Sequence, residues 1–172
     1  MHTGRAISIA KIGASELSRV RALARRIWPE CFAGVLPADI ISPMVEAIYD
    51  LDELRADMDE RGHIFWIAKV DGEDAGYASA YREGDRLWIK KLYLLDSSRG
   101  LGLGKRLIAT AQQELSGAKS LALYVNDGNA SAIAFYRSQG FAIDSLVPVN
   151  MGGFEMNDYV MTRPVASPAK GM

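Results

Sequence analysis

Between Leu92 and Leu107 the chain reads LYLLDSSRGLGLGKRL, with Gly100, Gly102 and Gly104 at alternate positions between Arg99 and Lys105. Leu92–Leu95 is the apolar end of a strand, and helical spacing starts at Leu103, so the glycines occupy the turn into a helix. The first backbone N–H groups of a helix have no partner inside it and lie at the positive end of its dipole. Glycine clears side chains from that end and lets a phosphate come close. Arg99 and Lys105 add a cation at either edge. The chemistry expected here is the holding of a phosphorylated ligand. A second stretch, YVNDGNASAIAFYRSQGF from Tyr124 to Phe141, follows another strand. It offers Asn129 as a helix N-cap, an apolar face of Ala132, Ile133, Phe135 and Tyr136, and Gly140 as the C-terminal stop.

Two common phosphate loops do not fit. A Walker loop needs four residues between its first glycine and Gly-Lys, then Ser or Thr. Gly100 and Gly104 are separated by three, and Arg106 follows Lys105. The dinucleotide pattern G-x-G-x-x-G needs a wider last gap and a place near the start of a βαβ unit. Arg99-x-x-Gly102-x-Gly104 after an apolar strand resembles instead the pyrophosphate loop of the GNAT family of N-acetyltransferases, which holds coenzyme A. Asn126-x-x-Asn129-x-x-Ala132-x-x-Phe135-Tyr136-x-x-x-Gly140-Phe141 resembles that family's second signature at each of these positions.

The resemblance implies acetyl-CoA as cosubstrate and a thioester-to-amine transfer. It assigns Arg99, Gly100, Leu101, Gly102, Leu103, Gly104 and Lys105 to the pyrophosphate. It assigns Leu92, Tyr93 and Leu94 to the pantetheine, where two parallel strands splay apart and backbone pairs with the ligand. The Leu92 N–H would polarise the thioester carbonyl, and the Tyr136 hydroxyl would protonate the leaving thiolate. Asn129 would bond the cofactor, cap its helix, or do both. Relatives that carry a glutamate four residues before the polarising amide differ from this chain, which has Trp88 there. No carboxylate lies between Leu87 and Leu95, so a base must be a water chain or an acid elsewhere. Glu83, Glu155 and Asp158 are candidates, each with a solvated surface position as the preferred reading. Of the adjacent Lys90 and Lys91, one could meet phosphate, but solvent-facing roles are preferred. Trp28, Phe32, Met44 and Tyr49 could enclose an amine, with core packing preferred.

Composition sets the frame for these elements. The chain has 172 residues, 49% hydrophobic and 24% charged, with a formal net charge of -1. That suits one domain over residues 1–172 and gives no general nucleic-acid surface. The lone Cys31 cannot form an internal disulfide and reads as a core filler, which fits a cytoplasmic setting. No run of residues suits a membrane span or signal peptide, and His2 and His63 form no zinc pattern.

The expected elements are a strand over 6–11, a helix from Ser15 to Trp28 broken by Pro29, and a helix from Pro37 to about Tyr49. A third helix is capped by Asp52 and ends near Gly62. Strands over 63–70, 75–82 and 86–95 then form an antiparallel meander. A helix over 103–115 crosses to a parallel strand over 120–125, and two strands, 141–149 and 155–162, close the chain. The expected fold class is α/β: a mixed, mostly antiparallel sheet with helices on both faces and one parallel, splayed strand pair. Its ordered core covers about 5–163, and the tail 164–172 is expected to be disordered. The segment from Gly152 to Met161 looks like the subset that includes bacterial polyamine acetyltransferases. The acceptor is then a small-molecule or peptide amine, and the protein is a monomer or homodimer. A non-catalytic acyl-CoA-binding or sensing domain is the alternative, and a nucleotide-phosphate transferase is disfavoured by the Walker spacing.

Overall fold

The computed structural model describes residues 5–165. A seven-stranded sheet runs in the order β1-β2-β3-β4-β5-β7-β6. Its strands are β1 (Ile7–Ile12), β2 (Ile64–Val70), β3 (Glu73–Glu83), β4 (Arg86–Leu94), β5 (Ser120–Asn126), β6 (Ala142–Met151) and β7 (Phe154–Pro164). Every neighbouring pair is antiparallel except β4 with β5. That pair is joined by helix α4 (Leu103–Glu114), as a crossover between parallel strands requires.

Helices α1 (Leu17–Cys31), α2 (Ala38–Ile48) and α3 (Leu51–Asp59) cover one face of the sheet. Helices α4 and α5 (Ala130–Ser138) cover the other. A strand covered on both sides must be apolar on both. In β2, Phe65 and Ile67 join the α1–α3 core, while Trp66 and Ala68 join the α4–α5 core. Leu17, Val20, Leu23, Ala24 and Ile27 of α1 are all buried, the face that helical spacing predicts.

Four local expectations change. Pro29 does not break α1, which continues to Cys31. Proline removes one N–H bond to the preceding turn, and only two residues of α1 lie beyond it, so little more is lost. The cap of α3 is Asp50, whose Oδ2 accepts from Glu53 N at 3.2 Å, rather than Asp52. Pro164 closes β7, and Val165 N donates to Lys119 O at 2.9 Å, so the expected loose tail does not begin at residue 164. The rest of that tail, residues 166–172, lies outside the described residues.

The fourth change lies in β4. Ser79 is opposite Lys91 and Ala80 is opposite Ile89, which leaves Lys90 as an extra residue in a β-bulge. Leu87 and Ile89 pack on the α4–α5 side before the bulge, and Leu92 and Leu94 return to it afterwards. Lys91 and Tyr93 face the α1–α3 core. The simple alternation expected along this strand therefore fails at Lys90.

Candidate functional site

β4 and β5 pair only from Arg86 to Ile89 against Ser120 to Leu123. From Lys90 on, β4 has no partner on that side among the described residues, while β5 stays paired to β7 as far as Asn126. A cleft of about 380 Å³ occupies the opening. It continues over the start of α4, where Arg99, Gly100, Gly102, Leu103 and Gly104 line it, and past Ser131, Phe135 and Tyr136.

The start of α4 is built for an anion. Gly102 is the N-cap with φ 76°, a left-handed conformation in which a side chain is strained, and no side chain caps the helix. Its first N–H groups are left to solvent or a ligand. The Arg99 guanidinium lies beside them and donates to Ser131 Oγ at 3.1 Å. Gly104 has a second reason to be glycine, because a Cβ there would stand 2.7 Å from Phe135 Cζ. The alternate glycines thus serve both ligand access and helix packing.

Leu92, Tyr93, Leu94, Asn129 and Tyr136 all line the same cleft. Asn129 and Tyr136 are far from Leu92–Leu94 in sequence, and the fold brings them together. Asn129 caps α5, its Oδ1 accepting from Ala132 N at 3.2 Å, while its Nδ2 points to Cys31 Sγ at 3.9 Å. Tyr136 is buried, and burial pushes its phenol well above the usual range, so it remains a protonated donor. Leu101 packs against the α4–α5 core and Lys105 is exposed; neither lines the cleft.

Several other lining residues have a solvent-facing or core position, or no role at all, as their preferred sequence reading. Lys90 enters the cleft because of the bulge. Cys31 and Phe32 reach it from the end of α1, Met151 from β6, and Asn126 and Tyr124 from β5. Lys91 is not solvent-facing: it is 5% exposed, 3.6 Å from Asp57 Oδ2, and far from any phosphate role. Trp28, Met44 and Tyr49 are core residues. Trp28 Nε1 donates to the Tyr77 hydroxyl, which donates to that of Tyr49.

Asp158 is the largest departure from the surface position expected. It is 2% exposed and lines the cleft, opposite Asn126 across the β5–β7 ladder. Its Oδ1 is fully enclosed and accepts no hydrogen bond among the described residues. Burial, then the nearby Asp127, pushes its carboxyl up to about 6, and Lys90 moderates the rise. Glu83 and Glu155 are exposed and stand outside the cleft. A signal for Asp158 was present: it shares strand period with Met156 and Val160, and so falls on an apolar face.

The sequence pattern described as Acetyltransferase (GNAT) family matches residues 20–141. An uncharacterized N-acetyltransferase of Mycobacterium bovis is 32% identical over 155 residues, spanning 87% of this chain and 97% of its own length. Another, from Lactobacillus delbrueckii subsp. lactis, is 27% identical over 91% of this chain and 96% of its own. A PaiA N-acetyltransferase from Thermoplasma acidophilum, crystallised in complex with coenzyme A, superposes with a TM-score of 0.79. It is 21% identical, with 93% of this chain and 99% of that one covered, and shows a shared fold.

Proposed function

Because the chain belongs to the Acetyltransferase (GNAT) family, we propose that its cleft binds acetyl-CoA and passes the acetyl group to a primary amine by direct attack on the thioester. The observation that carries this is the parting of β4 from β5 directly above an uncapped, cation-flanked helix start. The open β4 edge suits the amides of a pantetheine arm, which can pair with backbone as an added strand does. The N–H groups at the start of α4 and Arg99 suit a pyrophosphate.

In this reading Leu92 N–H polarises the acetyl carbonyl, and preorganised backbone donors are the strongest aid to such a reaction. Tyr136 supplies a proton to the departing sulfur. Leu101 and Lys105 contribute their backbone N–H groups alone. The acceptor is a polyamine-like small molecule or a protein amino group, and the chain acts as one domain. Among the described residues no helix is long and apolar enough to cross a membrane.

Two substitutions test the assignment. Arg99→Ala is expected to weaken coenzyme A binding about tenfold in calorimetry, the value of one charge-assisted contact of about 1.5 kcal/mol. Tyr136→Phe should keep that affinity and slow acetyl transfer by about 10²–10⁴-fold, measured as thiol release. Unchanged affinity in the first and unchanged turnover in the second would reject these roles. A binding or sensing domain would bind the cofactor yet release no thiol with any amine.

A further inference from the structure

We propose that Asp158 receives the ammonium group of the acceptor in the mouth between β4 and β5 and takes its proton. The inference rests on the acetyltransferase reading and extends it to the acceptor, which is a cation when it arrives. Three observations converge. Asp158 is nearly inaccessible yet lines the cleft. Its enclosed Oδ1 has no hydrogen-bond partner among the described residues, whereas buried polar groups are normally paired. The neighbour that could pair with it is turned away: Asn126 Oδ1 accepts from Gly128 N at 2.9 Å, and Asn126 Nδ2 points to Met156 Sδ at 3.6 Å.

The surroundings favour a carboxylate that changes protonation. Asp127, just past β5, repels its charge, and Lys90 in the β4 bulge attracts it. Tyr93 on β4 faces it electrostatically and stays a neutral phenol. On β6 the register partner is the apolar Val147. None of these groups bonds to it. An arriving ammonium would supply the missing donors and a counter-charge, and would lose a proton more easily for being desolvated.

The step balances. The ammonium gives one proton to the Asp158 carboxylate, and the freed nitrogen lone pair forms the C–N bond to the acetyl carbon. The C–S bond breaks and its electron pair leaves on sulfur. The second nitrogen proton ends on that sulfur by way of Tyr136. The products are an amide, a thiol and a neutral Asp158, which returns its proton to water. A base whose own pKa lies near the working pH is the efficient choice.

The test uses the full chain with coenzyme A bound and aspartate labelled at the side-chain carboxyl carbon. The resonance that disappears in Asp158→Asn should titrate near pH 6. Thiol release from acetyl-CoA is followed in parallel with spermidine, an ammonium ion at neutral pH, and with methoxyamine, already neutral there. Asp158→Asn is expected to keep the coenzyme A affinity and slow the spermidine reaction by about 10²–10⁴-fold, while sparing methoxyamine. Titration near pH 4, in the ordinary carboxylate range, overturns the inference, even if neither probe is an acceptor. So does equal slowing of both probes, which marks a structural role. A wild-type protein that binds no coenzyme A takes down the acetyltransferase reading and this inference together.

Discussion

Two basic side chains and an imidazole share the single carboxylate of Asp57. Arg61 Nε donates to Oδ1 at 2.8 Å, Lys91 Nζ lies 3.6 Å from Oδ2, and His63 Nδ1 lies 3.8 Å from Oδ1. His63 stacks on Tyr81 with ring centroids 4.5 Å apart, and Lys91 sits over the rings of Tyr49 and Phe65. Burial pushes Lys91 down to about 8 and His63 down to about 4, and Asp57 opposes both shifts. At neutral pH the imidazole is therefore uncharged, and of the two cations on Asp57, Lys91 is the buried one. Removing one partner of a buried pair strands the other. Asp57→Asn is expected to cost about 3 kcal/mol of stability, read from urea unfolding, with coenzyme A affinity retained in the folded fraction. A loss under about 1 kcal/mol would show Lys91 indifferent to its partner. None of this was visible in the sequence, because Asp57, His63 and Lys91 come from a helix, a loop and a strand. Motif reading fared better where function is local, as with the cap formed by Asn129.

Among the elements, α4 and α5 are coupled through Gly104 and Phe135. A methyl group at residue 104 would press on the Phe135 ring at 2.7 Å. Overpacking of this kind costs about 1–3 kcal/mol. Gly104→Ala should lower the thermal midpoint, and Phe135→Leu in the same chain should return part of the loss. Additive losses in the double variant would show that the two residues do not meet. Substitution of Gly104 is thus a poor probe of phosphate binding alone. The same paired reading explains what the sequence displayed well. Strands, helices and the crossover follow from apolar period and turn residues, which act over a few positions. The bulge at Lys90 has no such mark: its neighbours are ordinary strand residues, and the register is set by β3.

Across the whole molecule, pH divides the buried groups. Asp158 binds its proton more tightly folded than unfolded, so it favours folding below about pH 4 and loses that contribution as pH rises through about 6. His63 runs the other way: its neutral form is favoured by folding, and stability is lost as pH falls from about 6.5 toward its folded pKa of about 4. The two oppose each other between pH 4 and 6.5. Asp158→Asn should therefore raise the melting temperature at pH 7.5 by a few degrees, about 1 kcal/mol after allowance for the open cleft, and leave it unchanged at pH 4. An unchanged midpoint at both values would mean that the carboxylate costs the fold nothing. A gain in stability with a loss of turnover is the trade expected of a site residue.

The extra residue in β4 also acts as a counter. Each strand residue reverses the side on which the next one points, and Lys90 inserts one additional beat. Were Lys90 paired as an ordinary strand residue, Lys91 would fall on the side of Leu87 and Ile89, among Leu107 and its neighbours, and Leu92 and Tyr93 would trade places. Lys90→Gln alters one side chain; deleting residue 90 closes the bulge and leaves positions 91 to 94 on the sides they already face. Both changes are expected to keep a cooperative thermal transition, and its loss in the deletion alone would show that the bulge itself holds the strand. What the extra residue adds is therefore the lysine in the cleft, and not the facing of the strand beyond it.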